Sequence, residues 1–292
     1  MAGPGLKCPH QRALALVPGV GARGAGVREL HWLEGGSVNE LWRVDTVAGR
    51  FLLRQDGAEW RRPGVDRAHE AIAHGAAAEA GIAPRILARS PAGDAQVTEY
   101  IDGRVWTAAD YELRSQRARL SELLGRVHRL PWPGLPRWPF EPLRLAADYA
   151  RRAGGGEPAQ ALLAAAGRAA AGLDSRPAPR VLTHGDALAG NVIEADGRLW
   201  LIDWEFTQCA DPVWDLAAFA AWYPAAAADL ACCAAAAETG GAALAERLDC
   251  ALALHRALGR LWHLARGEAA DGAGIRGGEW ANYPARNGPR ES

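Results

Sequence analysis

Residues 181–205 read VLTHGDALAGNVIEADGRLWLIDWE, and the fold turns on what this stretch does. Its second half, NVIEADGRLWLID (191–203), is two apolar runs joined by Asp196-Gly197. That dipeptide is favoured in two-residue hairpin turns, where both central residues need positive φ. With those two residues in the turn, Ala195 faces Arg198 and Asn191 faces Ile202. Asn191 then opens one strand and Asp203 ends the other, so their side chains reach the same end of the hairpin. Asp186 lies five residues before Asn191, on the loop leading in. Three oxygen donors converge on one spot. The competing reading is a solvated hairpin with incidental polar residues.

Hard oxygen ligands from Asp and Asn suit Mg²⁺ that keeps its waters and borrows phosphate oxygens. Phosphoryl transfer asks for such a set: one carboxylate takes the proton of the attacking hydroxyl, while an Asn and a second Asp hold the metal. The spacing His184-x-Asp186-x-x-x-x-Asn191, with Asp203 twelve residues on, matches a kinase catalytic loop and metal-binding Asp. Such a site also needs a basic group on a third strand, a helix Glu to hold it and a loop over the phosphates.

The upstream sequence offers all three. LHWLEGGSVNELWRVDTVAGRFLLRQ (30–55) reads as three strands, with turns at Gly35-Gly36 and at Gly49. Arg54 ends FLLR on the third strand. Asp66 caps a helix that Gly81 stops, and Glu70 sits in its first turns. EGGSVN (34–39) lies between the first two strands. Alone, Arg54 reads equally well as a surface arginine and Gly-Gly as an ordinary turn; their order and spacing make them reinforce one another. PRILAR (84–89) and AQVTEYI (95–101) add two strands around Gly93-Asp94. His69-Glu70 with His74 is not the zinc-protease pattern, because the histidines stand five apart and off a common helix face.

Beyond YIDGR the pattern turns helical. Leu113, Leu120, Leu123, Leu124 and Val127 predict one helix over 107–130. A Pro/Trp-rich connector (131–142), Ala-rich helix to about Gly172, the opening motif and more helix to about Arg266 follow. The expected architecture is α+β and bilobal: a small antiparallel β-sheet lobe with one helix, and a larger, mainly helical lobe. Its divisions are a partly disordered segment (1–28), the small nucleotide-binding lobe (29–104), the large lobe carrying catalysis and acceptor binding (105–270) and a flexible tail (271–292).

Composition excludes several classes. The 292 residues are 49% apolar, enough for a sizeable core, and 33 basic residues balance 34 acidic ones, which argues against a nucleic-acid partner. Lys7 is the only lysine, and the Ala, Arg and Gly bias is read as genome composition. Five cysteines without a C-x-x-C pair, and no signal-peptide pattern, fit a reducing cytoplasmic setting. The apolar run 216–237 is mostly alanine and contains Pro224 and Asp229, so it reads as buried helix and not as a membrane span.

On LTHGDALAGN (182–191), LIDWEF (201–206) and the small-lobe residues above, the chain resembles the aminoglycoside phosphotransferase and choline kinase-like superfamily. Within it these motifs look most like bacterial thiamine kinase and choline/ethanolamine kinase-type members. The resemblance runs from about Leu30 to Trp262. It implies a protein-kinase-like fold using ATP and Mg²⁺, with Asp186 as catalytic base and Asn191 and Asp203 on the metal. It implies that Arg54, braced by Glu70, contacts the ATP phosphates beneath a covering loop holding Gly36, Ser37 and Asn39. Backbone groups near Glu99 and Ile101 would meet adenine. Arg54 stands where protein kinases use Lys, as in choline kinase-like members. Asp215 would pin the catalytic loop, His184 would orient it, and Asp211 with Pro212 would start the next helix.

The acceptor is a small alcohol, expected to be cationic. The chain has 12 Trp against 4 Phe and 5 Tyr, and aromatic faces bind quaternary or aromatic cations such as choline or thiamine. Trp204, Trp222 and Trp262 are candidates beside core packing, as are Tyr223 and Trp280; Glu205 would add negative charge or cap the hairpin. ALGRLWHL (257–264) resembles a choline-facing helix with only Trp262 of its aromatic pair kept. The alternatives are an aminoglycoside or sugar phosphotransferase, disfavoured by the scarcity of carboxylates after Asp215, and a catalytically inactive nucleotide-binding regulatory module.

Overall fold

The computed structural model describes residues 8–33, 39–57, 65–131, 141–176, 178–223 and 241–267. Strands β1 (Val27–Leu33), β2 (Asn39–Thr46) and β3 (Gly49–Asp56) run antiparallel, as the expected turn at Gly49 requires of the last two. With β4 (Ile86–Arg89) and β5 (Ala95–Glu99) they form a five-stranded sheet of order β1-β2-β3-β5-β4. Helix α2 (Arg67–Glu79) follows β3; the Asp66 carboxylate accepts from the N–H groups of Ala68 (2.8 Å) and His69 (3.1 Å). A cap of this type contributes about 1 kcal/mol.

Period-two alternation sorts the sheet's faces. Trp42 pairs with Leu53 and Leu53 with Val97, making one buried apolar stripe. Arg54, Gln96 and Asp56 therefore leave the other face, toward α2. The apolar stripe needs a cover, and the chain's beginning supplies it. Helix α1 (Gln11–Leu14) and the turn after it bury Ala13 and Val17 against Trp42, Val44 and Leu53. Part of the segment expected to be poorly ordered is thus built into the sheet's core.

The remainder is mainly helical: α3 (Ala108–Glu112), α4 (Arg114–His128), α5 (Pro142–Arg152), α6 (Glu157–Asp174), α7 (Val213–Trp222) and α8 (Gly241–Ala265). Between α6 and α7 the pair β7 (Val181–Thr183) and β10 (Gln208–Ala210) flanks the hairpin β8 (Val192–Ala195)–β9 (Arg198–Leu201), which is joined at its edge by β6 (Arg104–Val105). One apolar core unites Ala73 and Ala77 of α2, Leu120, Leu124 and Val127 of α4, and Val192 and Leu201 of the hairpin. Helices α2 and α4 are thereby packed together against the hairpin. A second core joins α5, α6 and α8.

The single helix expected over 107–130 is two helices. Thr107 and Asp110 form a capping box, and Arg104 grips the Asp110 carboxylate with two bonds of 2.7 Å. Leu113 then turns extended (ψ 118°), and the Arg117 guanidinium covers the carbonyls of Tyr111 and Glu112 at 2.8 Å each. Leu113 is consequently exposed and not on the core face. Among the described residues no helix is long and apolar enough to cross a membrane. Residues 224–237 of the apolar run, and the tail 271–292, lie outside them.

Candidate functional site

The hairpin takes the register its turn dictates. Asp196 and Gly197 both have positive φ (50° and 70°), Ala195 pairs with Arg198, and the Ile202 N–H donates to the Asn191 carbonyl at 3.0 Å. Asn191 and Asp203 are thus delivered to one end. Asn191 Nδ2–H donates to both the carboxylate and the carbonyl of Asp186, at 2.9 Å each, so its Oδ1 lies on the other side of the amide. Asp203 adopts a left-handed conformation (φ 65°, ψ 66°). For a residue other than glycine that costs of order 1 kcal/mol, and such conformations gather at functional sites.

The loop carrying Asp186 is pinned from below by Asp215, on the first turn of α7. Its carboxylate accepts from the backbone N–H groups of His184 (3.1 Å) and Gly185 (2.7 Å) and from His128 Nε2–H (2.9 Å). Burial opposes the charge of Asp215, but the His128 hydrogen bond and charge and the Gly185 N–H together hold its pKa below the ordinary value. Gly185 has φ +79°, and a Cβ there would meet the Phe206 carbonyl at 2.3 Å, so only glycine fits between His184 and Asp186. His184 is fully buried. Its Nε2–H donates to the Ile202 carbonyl (3.1 Å) while Nδ1 accepts the Asp186 N–H (3.3 Å). Burial pushes its pKa down to about 4, so it is neutral near pH 7 and ties loop to hairpin. At the loop's other face Tyr111 donates to the Ala187 carbonyl (3.0 Å), and the Ala189 backbone bonds the Tyr223 phenol. The two rings lie 4.3 Å apart, and burial raises the Tyr223 pKa to about 12. Asp211 accepts the Val213 N–H at 2.9 Å, as an N-terminal cap should.

A second polar centre lies on the α2 side of the sheet. Arg54 forks onto Glu70, with Nη1–H donating to Oε1 and Nη2–H to Oε2 (3.1 Å). Arg67, which the sequence reading passed over, stands beside them. It donates to Glu70 (2.8 Å), Glu205 (3.1 Å), Asn39 (2.9 Å) and both oxygens of Asp56 (2.6 and 3.1 Å). Asn39 closes a ring by donating to Glu205 at 3.0 Å. Burial raises the Asp56 pKa. Glu70 is more deeply buried still, but Arg54 and Arg67 overcome that and hold its pKa down. An available signal was the placement of Arg67 three residues before Glu70 on one helix face.

The other candidates fall in different places. Asn39 belongs to β2, its amide turned into the ion cluster. Glu99 ends β5 with its carboxylate on the Arg85 backbone N–H and guanidinium, and Ile101 follows, half-buried. Trp204 is fully buried, its Nε1–H on the Leu201 carbonyl (3.1 Å) and its ring 4.7 Å from that of His184. Glu205 is 5% exposed and bonded to Asn39 and Arg67. Trp262 packs on the α5–α6–α8 core beneath Arg266. Gly36, Ser37, Trp280 and the Trp222 side chain lie outside the described residues.

The pattern of the phosphotransferase enzyme family matches residues 30–261. A choline/ethanolamine kinase family protein from Mesorhizobium loti has a similar structure, with a TM-score of 0.71 and 25% identity over 96% of this chain and 94% of its own. Choline kinase LicA from Streptococcus pneumoniae has a TM-score of 0.68 at 18% identity, over 83% and 86%. A thermostable mutant of aminoglycoside phosphotransferase APH(4)-Ia, in a ternary complex with ADP and hygromycin B, gives 0.62 at 18% identity, over 87% and 91%. The latter two likenesses speak for the fold alone. No curated protein matches the chain significantly.

Proposed function

The chain belongs to the phosphotransferase enzyme family, and from that premise we propose that it moves the γ-phosphoryl group of ATP to the hydroxyl of a small cationic alcohol of choline, ethanolamine or thiamine type. The observation that carries this reading is the Asp186–Asn191 pair, carboxylate and amide bonded at 2.9 Å at the end of a hairpin whose other strand stops at Asp203.

Asp186 is the base. It is half-buried, oriented by the Asn191 amide and seated on a loop fixed by Asp215, Gly185 and Tyr111. An acceptor hydroxyl within hydrogen-bond reach gives its proton to this carboxylate as the oxygen attacks. The Asn191 Oδ1 and the Asp203 carboxylate form a hard-oxygen pair that fits Mg²⁺. When bound, the ion neutralises phosphate charge. Arg54 offers a permanent charge to the phosphates, and Glu70 holds its guanidinium from the α2 side of the sheet. His184, neutral and spent on two backbone bonds, moves no proton.

The acceptor class has two supports. One is the 25% identity with a protein described as of the choline/ethanolamine kinase family. The other is the half-buried ring of Tyr223 on the loop beside Asp186, an aromatic face of the kind that attracts cations. Trp204 and Glu205 are spent elsewhere and take no part.

ADP release measured across thiamine, choline, ethanolamine, aminoglycosides and amino sugars tests the reading. Turnover is expected with one of the first three. Turnover of kanamycin alone would replace the acceptor class, and normal ATP binding without turnover of any acceptor would mark an inactive nucleotide-binding module.

A further inference from the structure

We propose that Arg67 is a positioning residue that fastens the phosphate-binding side of the site to its metal-binding turn, an inference that rests on the phosphotransfer reading above. The Arg67 guanidinium is 6% exposed and reaches four elements at once: Asn39 on β2, Asp56 on β3, Glu70 within α2 and Glu205 in the turn just after Asp203. Asn39 makes the connection to Glu205 redundant, since it receives one bond from Arg67 and gives another to the same carboxylate oxygen.

Arg54 by contrast donates through both arms of its fork to Glu70. Once Arg54 turns part of its fork to a phosphate, Arg67 keeps Glu70 paired and still ties α2 to Asp56 on β3 and Asn39 on β2. Because the same guanidinium holds Glu205, the turn that presents Asp203 is fixed relative to Arg54 before any nucleotide arrives. A planar fork is needed for this. A lysine ammonium keeps the charge but cannot address Asp56 edge-on while also spanning Glu70 and Glu205.

Arg67→Lys, Glu205→Gln and the double variant of the full chain test the proposal, with MgADP affinity and metal-free ADP affinity read by calorimetry beside the thermal midpoint. Each single variant should weaken MgADP binding about tenfold or more, the scale of a lost charged hydrogen bond. Metal-free ADP should bind within about twofold of the parent, and the double variant no more weakly than the worse single one. A lowered midpoint with MgADP affinity unchanged would reduce Arg67 to a structural ion and overturn the proposal. If Arg67→Lys does not fold, the nearly isosteric Glu205→Gln carries the test by itself. A parent protein that binds no MgADP would overturn the phosphotransfer reading itself, an outcome distinct from variants that bind as the parent does.

Discussion

The loop around Asp186 and the cluster around Arg67 are both buried polar centres, but they are assembled on different plans. The bonds that shape the loop are mostly local and uncharged: Asn191 to Asp186, Asp186 to His184, His184 to Ile202 and Ile202 back to Asn191. All fall inside the stretch that contains one tight turn. The cluster gathers two guanidinium groups and three carboxylates, and the Asn39–Glu205 bond spans 166 residues. Buried charges are expensive to desolvate and are kept only when mutually satisfied. The loop should therefore be robust in stability and sensitive in rate, whereas the cluster should be sensitive in stability.

Asp186→Asn presses hardest on this contrast. An amide cannot take the hydroxyl proton, but it can still accept the Asn191 bond. Turnover should fall by roughly 10²–10⁴-fold, the usual contribution of a general base, with ADP affinity and urea midpoint close to the parent. A rate within a fewfold of the parent would remove Asp186 from the role of base.

Glu70→Ala probes the other centre. It leaves Arg54 without its fork partner and Arg67 short of one carboxylate. Removing one member of a buried ion pair costs about 3–5 kcal/mol, to be read from urea unfolding. A loss below about 1 kcal/mol would mean that water enters the cluster, and the contrast with the loop would collapse.

The same contrast governs what could be read from the chain. The hairpin register followed from Asp196-Gly197 and two apolar runs, and the place of Arg54 on the third strand from the turn at Gly49, because both are short-range rules. The α+β architecture was readable for the same reason. The break at Leu113 was not, since it depends on the Arg104 fork and the Arg117 cover. Trp204 was an acceptor candidate for its aromatic face, and Glu205 for its negative charge. The left-handed backbone of Asp203 redirects the chain, so that the indole enters the core and the carboxylate enters the cluster. No local pattern announces a partner such as His128, 87 residues from Asp215.

Acidification should strain both centres together. Burial lowers the pKa of His74, behind the cluster, of His184 in the loop and of His255 on α8, each to about 4. The unfolded chain takes up these protons first, near pH 6.5. The stability owed to the neutral rings is therefore complete above pH 6.5 and is lost as pH falls from there toward 4. At pH 5.5 the loss is about 1 kcal/mol per ring. The buried carboxylates Glu70 and Asp215, with lowered pKa values, lose their contribution only further down, below the ordinary carboxylate range. Urea titrations at pH 7.5 and 5.5 should differ by a few kcal/mol in all; equal values would show the rings to be hydrated.

Gly197→Ala should produce the smallest effect and the sharpest separation. Gly197 has φ +70° and nothing within 4 Å of an added Cβ, so the substitution strains the backbone without a clash. The cost is about 1 kcal/mol. The turn lies at the end of the hairpin opposite Asn191 and Asp203, and four paired residues on each strand stand between. If the register is held by that pairing as well as by the turn, turnover should stay within about twofold of the parent while the urea midpoint falls, the turn's strain being confined to about 1 kcal/mol. A rate that falls far more than stability would mean that the turn alone sets the spacing of Asn191 and Asp203. The loop would then be the fragile centre of the two, and local encoding would be a weakness of this site.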